Sequence, residues 1–152
     1  KDQLNNSWMM FFTGITRYAD PLIEEQVKKT NSAENDSKLD EMIKIVEEAK
    51  SVFSDSSDKS FIKELGALMH ANWEKKKQLS SKVSNEVIDN IYTKAISAGA
   101  YGGKLSGAGA GGFLSFIVPI DRQNDVKNAL SDLEELPFKI SNTGSSIIYF
   151  KS

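Results

Sequence analysis

The chain contains no cysteine and a single histidine among its 152 residues. The missing thiols exclude disulfides, thiolate metal sites and cysteine nucleophiles, and a single imidazole excludes a histidine-rich metal site. No apolar run approaches the ~20 residues that a membrane-spanning helix needs, and Trp8–Phe12 is too short for a signal peptide. The lack of cysteine is typical of a cytoplasmic protein, which is the location we expect.

The chain also lacks an excess of charge of either sign. Its 19 Lys and Arg nearly balance its 21 Asp and Glu, which gives a net charge of −2. We therefore expect neither nucleic acid nor a membrane as a partner, although a local basic pocket is compatible with this balance. The length suits one domain with a core. Since the chain opens without Met just ahead of an apolar run, we interpret residues 1–152 as one domain of a longer protein.

Apolar patterns predict an α+β fold, a four-stranded, mostly antiparallel sheet with helices on one face. Trp8–Phe12 and the apolar run 113–118 are the first two predicted strands. Two more strands are predicted at 137–141 and 145–150, around an Asn142-Thr143-Gly144 turn. One predicted helix begins at Asp20-Pro21. Four more are predicted at about 38–53, 60–79, 85–98 and 123–133.

Glycine is concentrated in one stretch, where six of the eleven residues 102–112 are Gly. Glycine allows positive φ and lets a ligand approach bare backbone, and successive N–H groups can form an anion-binding nest. The entropic cost of six glycines favours a functional reason such as phosphate recognition, although a flexible or tightly packed connector also fits.

Two familiar phosphate motifs do not account for this stretch. The P-loop pattern fails because no Gly-Lys-Ser/Thr closes it. Residues 107–112 satisfy G-x-G-x-x-G, but they precede a predicted strand, whereas a dinucleotide-binding loop follows a strand and opens a helix. We therefore reject a dinucleotide-binding fold.

The glycine-rich stretch resembles the third signature motif of the GHMP kinases, in the segment Gly103-Lys104-Leu105-Ser106-Gly107-Ala108-Gly109-Ala110-Gly111-Gly112-Phe113. The segment Phe12-Thr13-Gly14-Ile15-Thr16-Arg17 resembles the family's strand-to-loop segment at the start of the C-terminal domain. The segment His70-Ala71-Asn72-Trp73, with Lys76, Leu79, Ser80, Ser84 and Ile88-Asp89, is similar to the pattern of D-glycero-D-manno-heptose 7-phosphate kinases and their relatives. The resemblance extends over about residues 8–150. It implies the ferredoxin-like C-terminal domain of such a kinase.

The resemblance also implies a reaction and its participants. An ATP- and Mg²⁺-dependent enzyme would phosphorylate a heptose 7-phosphate at the anomeric hydroxyl, and the ATP-binding domain and catalytic acid would lie in an absent N-terminal domain. We therefore expect this chain alone to be inactive, with no catalytic residue and no metal ligand of its own. The motif implies substrate or phosphate contacts from Lys104, Ser106, Gly107, Ala108, Gly109 and Gly111.

Further candidates lie on helix 60–79 and near the first strand. Lys76 falls in the apolar stripe of that helix, where a lysine either extends to water or meets an anion. His70, at the edge of the stripe, is a structural residue or a substrate contact. Arg17 suits bidentate phosphate binding or a surface ion pair, and Thr13 either contacts substrate or caps a turn.

Two alternatives to a heptose 7-phosphate kinase remain. One is a GHMP kinase for fucose or another hexose, and the other is a non-catalytic ligand-binding module, since fold does not fix function. If a partner domain is absent, the surface that it covers is exposed, which favours a homodimer.

Overall fold

The computed structural model describes residues 1–16, 20–54, 60–107, 109–141, 143–145, 147 and 149. In the helix that starts at Asp20, the side chains of residues 20–23 and 26 are also outside the description. Arg17 and Ala108, both predicted site residues, lie outside the described residues, as does Asn142 of the predicted turn.

The described strands form one antiparallel sheet, which confirms the α+β class. They are β1 (Trp8–Phe12), β2 (Gly102–Leu105), β3 (Phe113–Ile117) and β4 (Glu134–Glu135). The spatial order is β2-β3-β1-β4, with β3 paired to both β1 and β2. The connection between β2 and β3 is therefore a hairpin, and it consists of the glycine-rich residues 106–112.

Six α-helices accompany the sheet within the described residues: α1 (Asp2–Ser7), α2 (Asp20–Asn31), α3 (Asp36–Ser54), α4 (Phe61–Lys77), α5 (Glu86–Ser97) and α6 (Gln123–Ala129). The predicted helix 123–133 is shorter than expected, because α6 ends at Ala129. The helices near 38–53, 60–79 and 85–98 correspond to α3, α4 and α5. None of the described helices is long and apolar enough to cross a bilayer.

The main core lies on one face of the sheet. Met9 and Phe11 of β1 alternate with more exposed neighbours, as a strand buried on one face requires, and they pack with Phe116 of β3 and with α5. A second cluster contains Leu4, Leu65 and Ile117. Because Ile117 follows Phe116, it points to the opposite face, so α1 and the start of α4 cover one end of that face.

One strand prediction was wrong, and another lies partly outside the described residues. Residues 137–141 form no strand, and the fourth strand is instead Glu134–Glu135. Pro137 has no N–H and cannot continue a hydrogen-bond ladder, and Ile140 donates its N–H to the Asn5 side chain at 2.9 Å. Of the predicted strand 145–150, residues 146, 148 and 150 lie outside the described residues. Sequence reasoning missed strands β2 and β4.

The predicted first strand is correct at both ends, and Phe113–Ile117 is one residue shorter than the predicted 113–118. Val118, the residue that was left out, donates its N–H to Ser7 at 2.7 Å instead of continuing the ladder. The glycine loop precedes a strand, as predicted, and this position confirms that it is not a dinucleotide-binding turn.

Candidate functional site

The loop between β2 and β3 has a backbone that only small residues adopt easily. Gly107, Gly109 and Gly112 have φ of 84°, 124° and 97°, and Ala110 has φ of 62°. Positive φ is costly for residues with a Cβ. Glycine is therefore required here by conformation, and the loop can turn its amides in directions that a regular hairpin does not offer.

Part of the loop's hydrogen-bonding capacity is used by the protein and part is open. Ala110 donates its N–H to Val83 O at 2.9 Å and Gly112 to Ile15 O at 2.8 Å, which anchors the C-terminal end. Among the hydrogen bonds of the described residues, none has the N–H of Gly107, Gly109 or Gly111 as its donor. Gly107 is exposed, and Gly109 and Gly111 are half-buried. Bare N–H groups of this kind are the elements of an anion-binding nest.

Lys76, near the end of α4, contacts this loop directly. Its Nζ donates a hydrogen bond to Gly107 O at 2.7 Å. Burial lowers the pKa of the Lys76 ammonium, and the nearby charge of Lys104 lowers it further. The sequence interpretation placed Lys76 inside an apolar stripe, and the side chain does run inward to the glycine loop.

Lys104 supplies the second ammonium. No salt bridge within the described part of the chain involves Lys76 or Lys104. Two nearby cations without a carboxylate partner repel each other, and a bound anion would relieve that repulsion. Lys104 also lines an open groove between α3 and α4, together with Ile45, Val46, Ala49, Leu65, Leu68, Met69 and Asn72.

Ser106 begins the loop, and a buried serine holds it. The two hydroxyls of Ser106 and Ser115 lie 3.2 Å apart, and Ser106 N donates to Phe113 O at 2.8 Å. Ser115 is only 1% exposed. Sequence reasoning missed Ser115, although a lone polar residue inside the apolar run 113–118 was a usable signal.

Thr13 and Gly111 join the loop to the segment after β1. The Thr13 hydroxyl donates to Gly112 O at 2.8 Å and accepts from Ile15 N at 3.3 Å. A Cβ on Gly111 would lie 2.6 Å from Ile15 O, so glycine permits this close approach. The side chain of Thr13 is buried and already hydrogen-bonded, and a substrate contact by Thr13 stays a prediction.

His70 lies in a different group of residues. Its Nδ1 is 2.8 Å from the Tyr92 hydroxyl, and it lines a groove with Glu74, Lys77 and Asp89. Lys76 instead reaches the glycine loop, and the charge of Lys104 lies close to Lys76. The structure thus assembles Lys76, Lys104, Ser106, Gly107, Gly109 and Gly111 at one place and leaves His70 on another side of α4.

The described residues fit phosphate groups better than they fit a metal ion. They include no group of three or more His, Cys, Asp or Glu that could hold a metal. Two ammonium groups and bare backbone amides are complementary to the oxygens of a nucleotide or a sugar phosphate. Any Mg²⁺ at this site would therefore be held mainly by phosphate oxygens or by residues other than those described.

Comparison with known proteins connects this geometry to a family. The family model described as GHMP kinases C terminal matches residues 53–138. A D-glycero-alpha-D-manno-heptose 7-phosphate kinase of Campylobacter jejuni is 33% identical over 126 residues, which are 82% of this chain and 36% of that protein. A mevalonate kinase of Thermococcus sibiricus is 33% identical over 112 residues, 72% of this chain and 33% of that protein.

A solved structure shares the fold. The mevalonate kinase of L. major, in complex with R-mevalonate, superposes with a TM-score of 0.73 at 22% identity, over 84% of this chain and 40% of that one. The chain thus spans about a third of the length of the two curated relatives. Because the family model covers more than half of the sequence, and the loop that it includes has the geometry just described, the chain belongs to the GHMP kinases and corresponds to their C-terminal part.

Proposed function

We propose that this chain is the substrate- and phosphate-binding half of a cytoplasmic, ATP-dependent sugar kinase. The proposed reaction transfers the γ-phosphoryl group of ATP to the anomeric hydroxyl of a heptose 7-phosphate and yields a 1,7-bisphosphate. The observation that carries this proposal is the glycine loop, whose open N–H groups lie beside the ammonium groups of Lys76 and Lys104.

Phosphoryl transfer depends on positioning and on stabilising negative charge. In the proposed reaction the N–H groups of Gly107, Gly109 and Gly111 donate to phosphate oxygens, and the two lysines supply positive charge. Mg²⁺, when bound with ATP, neutralises further charge on the phosphates. Ser106, held by Ser115, is placed to donate a hydroxyl hydrogen bond to the same group. The catalytic acid lies in the proposed N-terminal domain.

The substrate class rests on the relative from Campylobacter jejuni, a heptose 7-phosphate kinase by name. The equal identity to a mevalonate kinase supports the family but not the sugar. An assay of the full-length protein against heptose 7-phosphates, fucose, other hexoses and mevalonate tests the substrate. We expect the highest kcat/KM with a heptose 7-phosphate, and a strong preference for an unphosphorylated acceptor would contradict the proposal.

Removing either ammonium tests the phosphate contact. We expect Lys76→Met and Lys104→Met in the full-length enzyme each to raise the substrate KM by roughly 10- to 100-fold, since hydrogen bonds to charged groups contribute about 1.5–3 kcal/mol. Lys63→Met is the matched control, because Lys63 is an exposed lysine of α4 with no salt bridge in the described residues. Equal KM values for all three variants would exclude an anion contact. Arg17→Met carries the same prediction.

A non-catalytic ligand-binding module is the competing class. Such a module has no evident need for open amides next to unpaired ammonium groups, whereas a kinase does. We propose that the isolated chain is inactive and binds ATP weakly, because the domain that would hold the nucleotide is missing from it. Calorimetric titration with ATP and Mg²⁺ checks this, and micromolar affinity would contradict it.

We also propose that the isolated chain self-associates. Helix α3 fully buries none of its side chains, and Ile43, Val46 and Phe53 are 59%, 47% and 50% exposed. Apolar residues grouped along one helix favour association. Light scattering at increasing concentration should show dimers, and a monomer at every concentration would count against this prediction.

A further inference from the structure

Among the described strands, β2 is at the edge of the sheet, since it pairs only with β3. Ser106 donates to Phe113 O, so the hydrogen-bonded positions of this pair are 102, 104 and 106. In an antiparallel pair the positions between them point their N–H and C=O groups away from the partner. Gly103 therefore directs both main-chain groups toward the unpaired edge, where a strand would normally be free to shift or to pair with another chain.

A single side-chain oxygen satisfies both groups. The Tyr92 hydroxyl of α5 donates to Gly103 O at 3.2 Å and accepts from Gly103 N at 3.2 Å. Tyr92 is 5% exposed and packs against the Phe116 ring at 5.5 Å between centroids. Its hydroxyl thus takes the place of a neighbouring strand at Gly103, which is buried.

His70 fixes the direction of this hydrogen-bond chain. A phenol hydroxyl donates one hydrogen bond and accepts up to two. With the Tyr92 hydroxyl donating to Gly103 O, the His70 tautomer that carries its proton on Nδ1, 2.8 Å away, completes the arrangement as the donor to Tyr92. The two rings are stacked with centroids 5.8 Å apart, and burial raises the pKa of the Tyr92 phenol, so the hydroxyl keeps its proton.

The position of β2 decides where the site's groups lie. Gly103 directly precedes Lys104 and lies three residues before Ser106. Gly66 of α4 contacts Gly102 closely, which limits how near the strand approaches that helix, while the Tyr92 hydroxyl fixes the strand along its hydrogen-bonding direction. A shift of β2 by a fraction of an ångström would therefore move the Lys104 ammonium and the start of the loop together.

We propose that Tyr92 and His70 are positioning residues that hold β2 so that Lys104 and Ser106 face the bound anion. This inference rests on the proposed function, and it assigns His70 to the support of the site instead of to direct substrate contact.

Three variants of the chain test the inference by NMR. Tyr92→Phe removes the hydroxyl, His70→Leu removes the donor, and His70→Asn restores a donor near the position of Nδ1. Ile91→Val is the matched control, because it makes a small change in the same helix at a residue that is 7% exposed. Amide hydrogen exchange of residues 103–107 reports on the strand, and titration with inorganic tripolyphosphate reports on the site.

For Tyr92→Phe we expect exchange at Gly103 and Lys104 to be about tenfold faster, relative to amides of β1, and the tripolyphosphate dissociation constant to rise about tenfold. His70→Leu should show a smaller change of the same kind, and His70→Asn should restore both values. If Tyr92→Phe does not fold, the two His70 variants decide the question.

If exchange in Tyr92→Phe and His70→Leu is no faster than in Ile91→Val, the inference is overturned. An unchanged tripolyphosphate dissociation constant in both variants would also overturn it. If the unmodified chain binds no tripolyphosphate, the proposed function loses its support, and the exchange rates alone decide whether Tyr92 positions β2. The two failures are therefore distinguishable.

Discussion

The two halves of the glycine-rich stretch use the same residue for different physical reasons. A Cβ on Gly102 would lie 1.9 Å from Gly66 O, and one on Gly103 would lie 2.3 Å from Ser115 O. A Cβ on Gly107 would meet nothing within 4 Å, and one on Gly112 would meet only Ser106 O at 3.8 Å. In the first half glycine permits contact between backbones. In the second it permits positive φ, except at Gly111, which again permits a close backbone contact, with Ile15 O.

This difference shows that a run of glycines is not one functional unit. The strand half is packed against α4 and Tyr92, so it is a rigid support. The loop half is exposed at Gly107 and keeps open amides, so it can meet a ligand. A kinase that binds phosphate through its backbone needs both, because open amides contribute only when their positions are fixed.

The largest expected effect is at the packed half. Gly102→Ala should lower the free energy of unfolding by about 3 kcal/mol or more, because the added methyl group overlaps the backbone of α4. Urea unfolding measures this. Gly144→Ala is the control, since its Cβ would meet nothing within 4 Å and its φ is not positive, and it should change stability by less than about 0.5 kcal/mol. A similar small loss for Gly102→Ala would contradict the packing described here.

A smaller effect is expected in the open half. Gly107→Ala should cost roughly 1–2 kcal/mol, the cost of left-handed backbone for a residue with a Cβ. Gly107→Asn should cost less, because Asn tolerates this conformation. Thermal unfolding of the two variants compares them. If alanine and asparagine were equally harmful, sterics and not backbone conformation would be the cause.

The contact between the Ser106 and Ser115 hydroxyls should contribute less to the free energy of unfolding than either glycine. Ser115→Ala removes the buried hydroxyl next to Ser106 and should cost about 1 kcal/mol, the net value of one hydrogen bond. Ser106→Ala should cost no more, since Ser106 is half-buried. Chemical denaturation of both single variants and the double variant measures their coupling, and additive losses would show that the two hydroxyls do not interact.

The smallest effect concerns pH. The pKa of Lys76 in the folded chain is below its ordinary value of 10.5, so between these two values the unfolded chain binds more protons and stability rises with pH. We expect the stability of the unmodified chain, relative to Lys76→Met, to rise with pH over the interval between the lowered pKa of Lys76 and its ordinary value of 10.5. The comparison with the variant matters because Tyr92, whose pKa is raised by burial, acts in the opposite sense above pH 10. A flat difference curve would contradict the burial of Lys76.

The sequence predicted the elements whose side chains alternate or repeat. Trp8–Phe12 was predicted at its observed bounds because it is a continuous apolar run. Strand β2 was missed because Gly102 and Gly103 have no side chains from which a period can be read. Strand β4 was missed because Glu134 and Glu135 are polar and pair only with the end of β1.

The candidate site was predictable in part for the same reason. Lys76 interrupts an apolar stripe, and that interruption correctly indicated an inward direction. Helical geometry also separates His70 from Lys76 by about 120° around α4, which explains why the two do not meet. The role of Tyr92 could not be read from the sequence, because it depends on which strand lies at the edge of the sheet.

An NMR titration of the chain with inorganic tripolyphosphate tests the central claim most directly. The account predicts that the amide signals of Gly107, Gly109 and Gly111 shift together on binding, and that Lys76→Met and Lys104→Met each weaken this binding while Lys63→Met does not. Unchanged amide signals at all three glycines at saturating tripolyphosphate would contradict it.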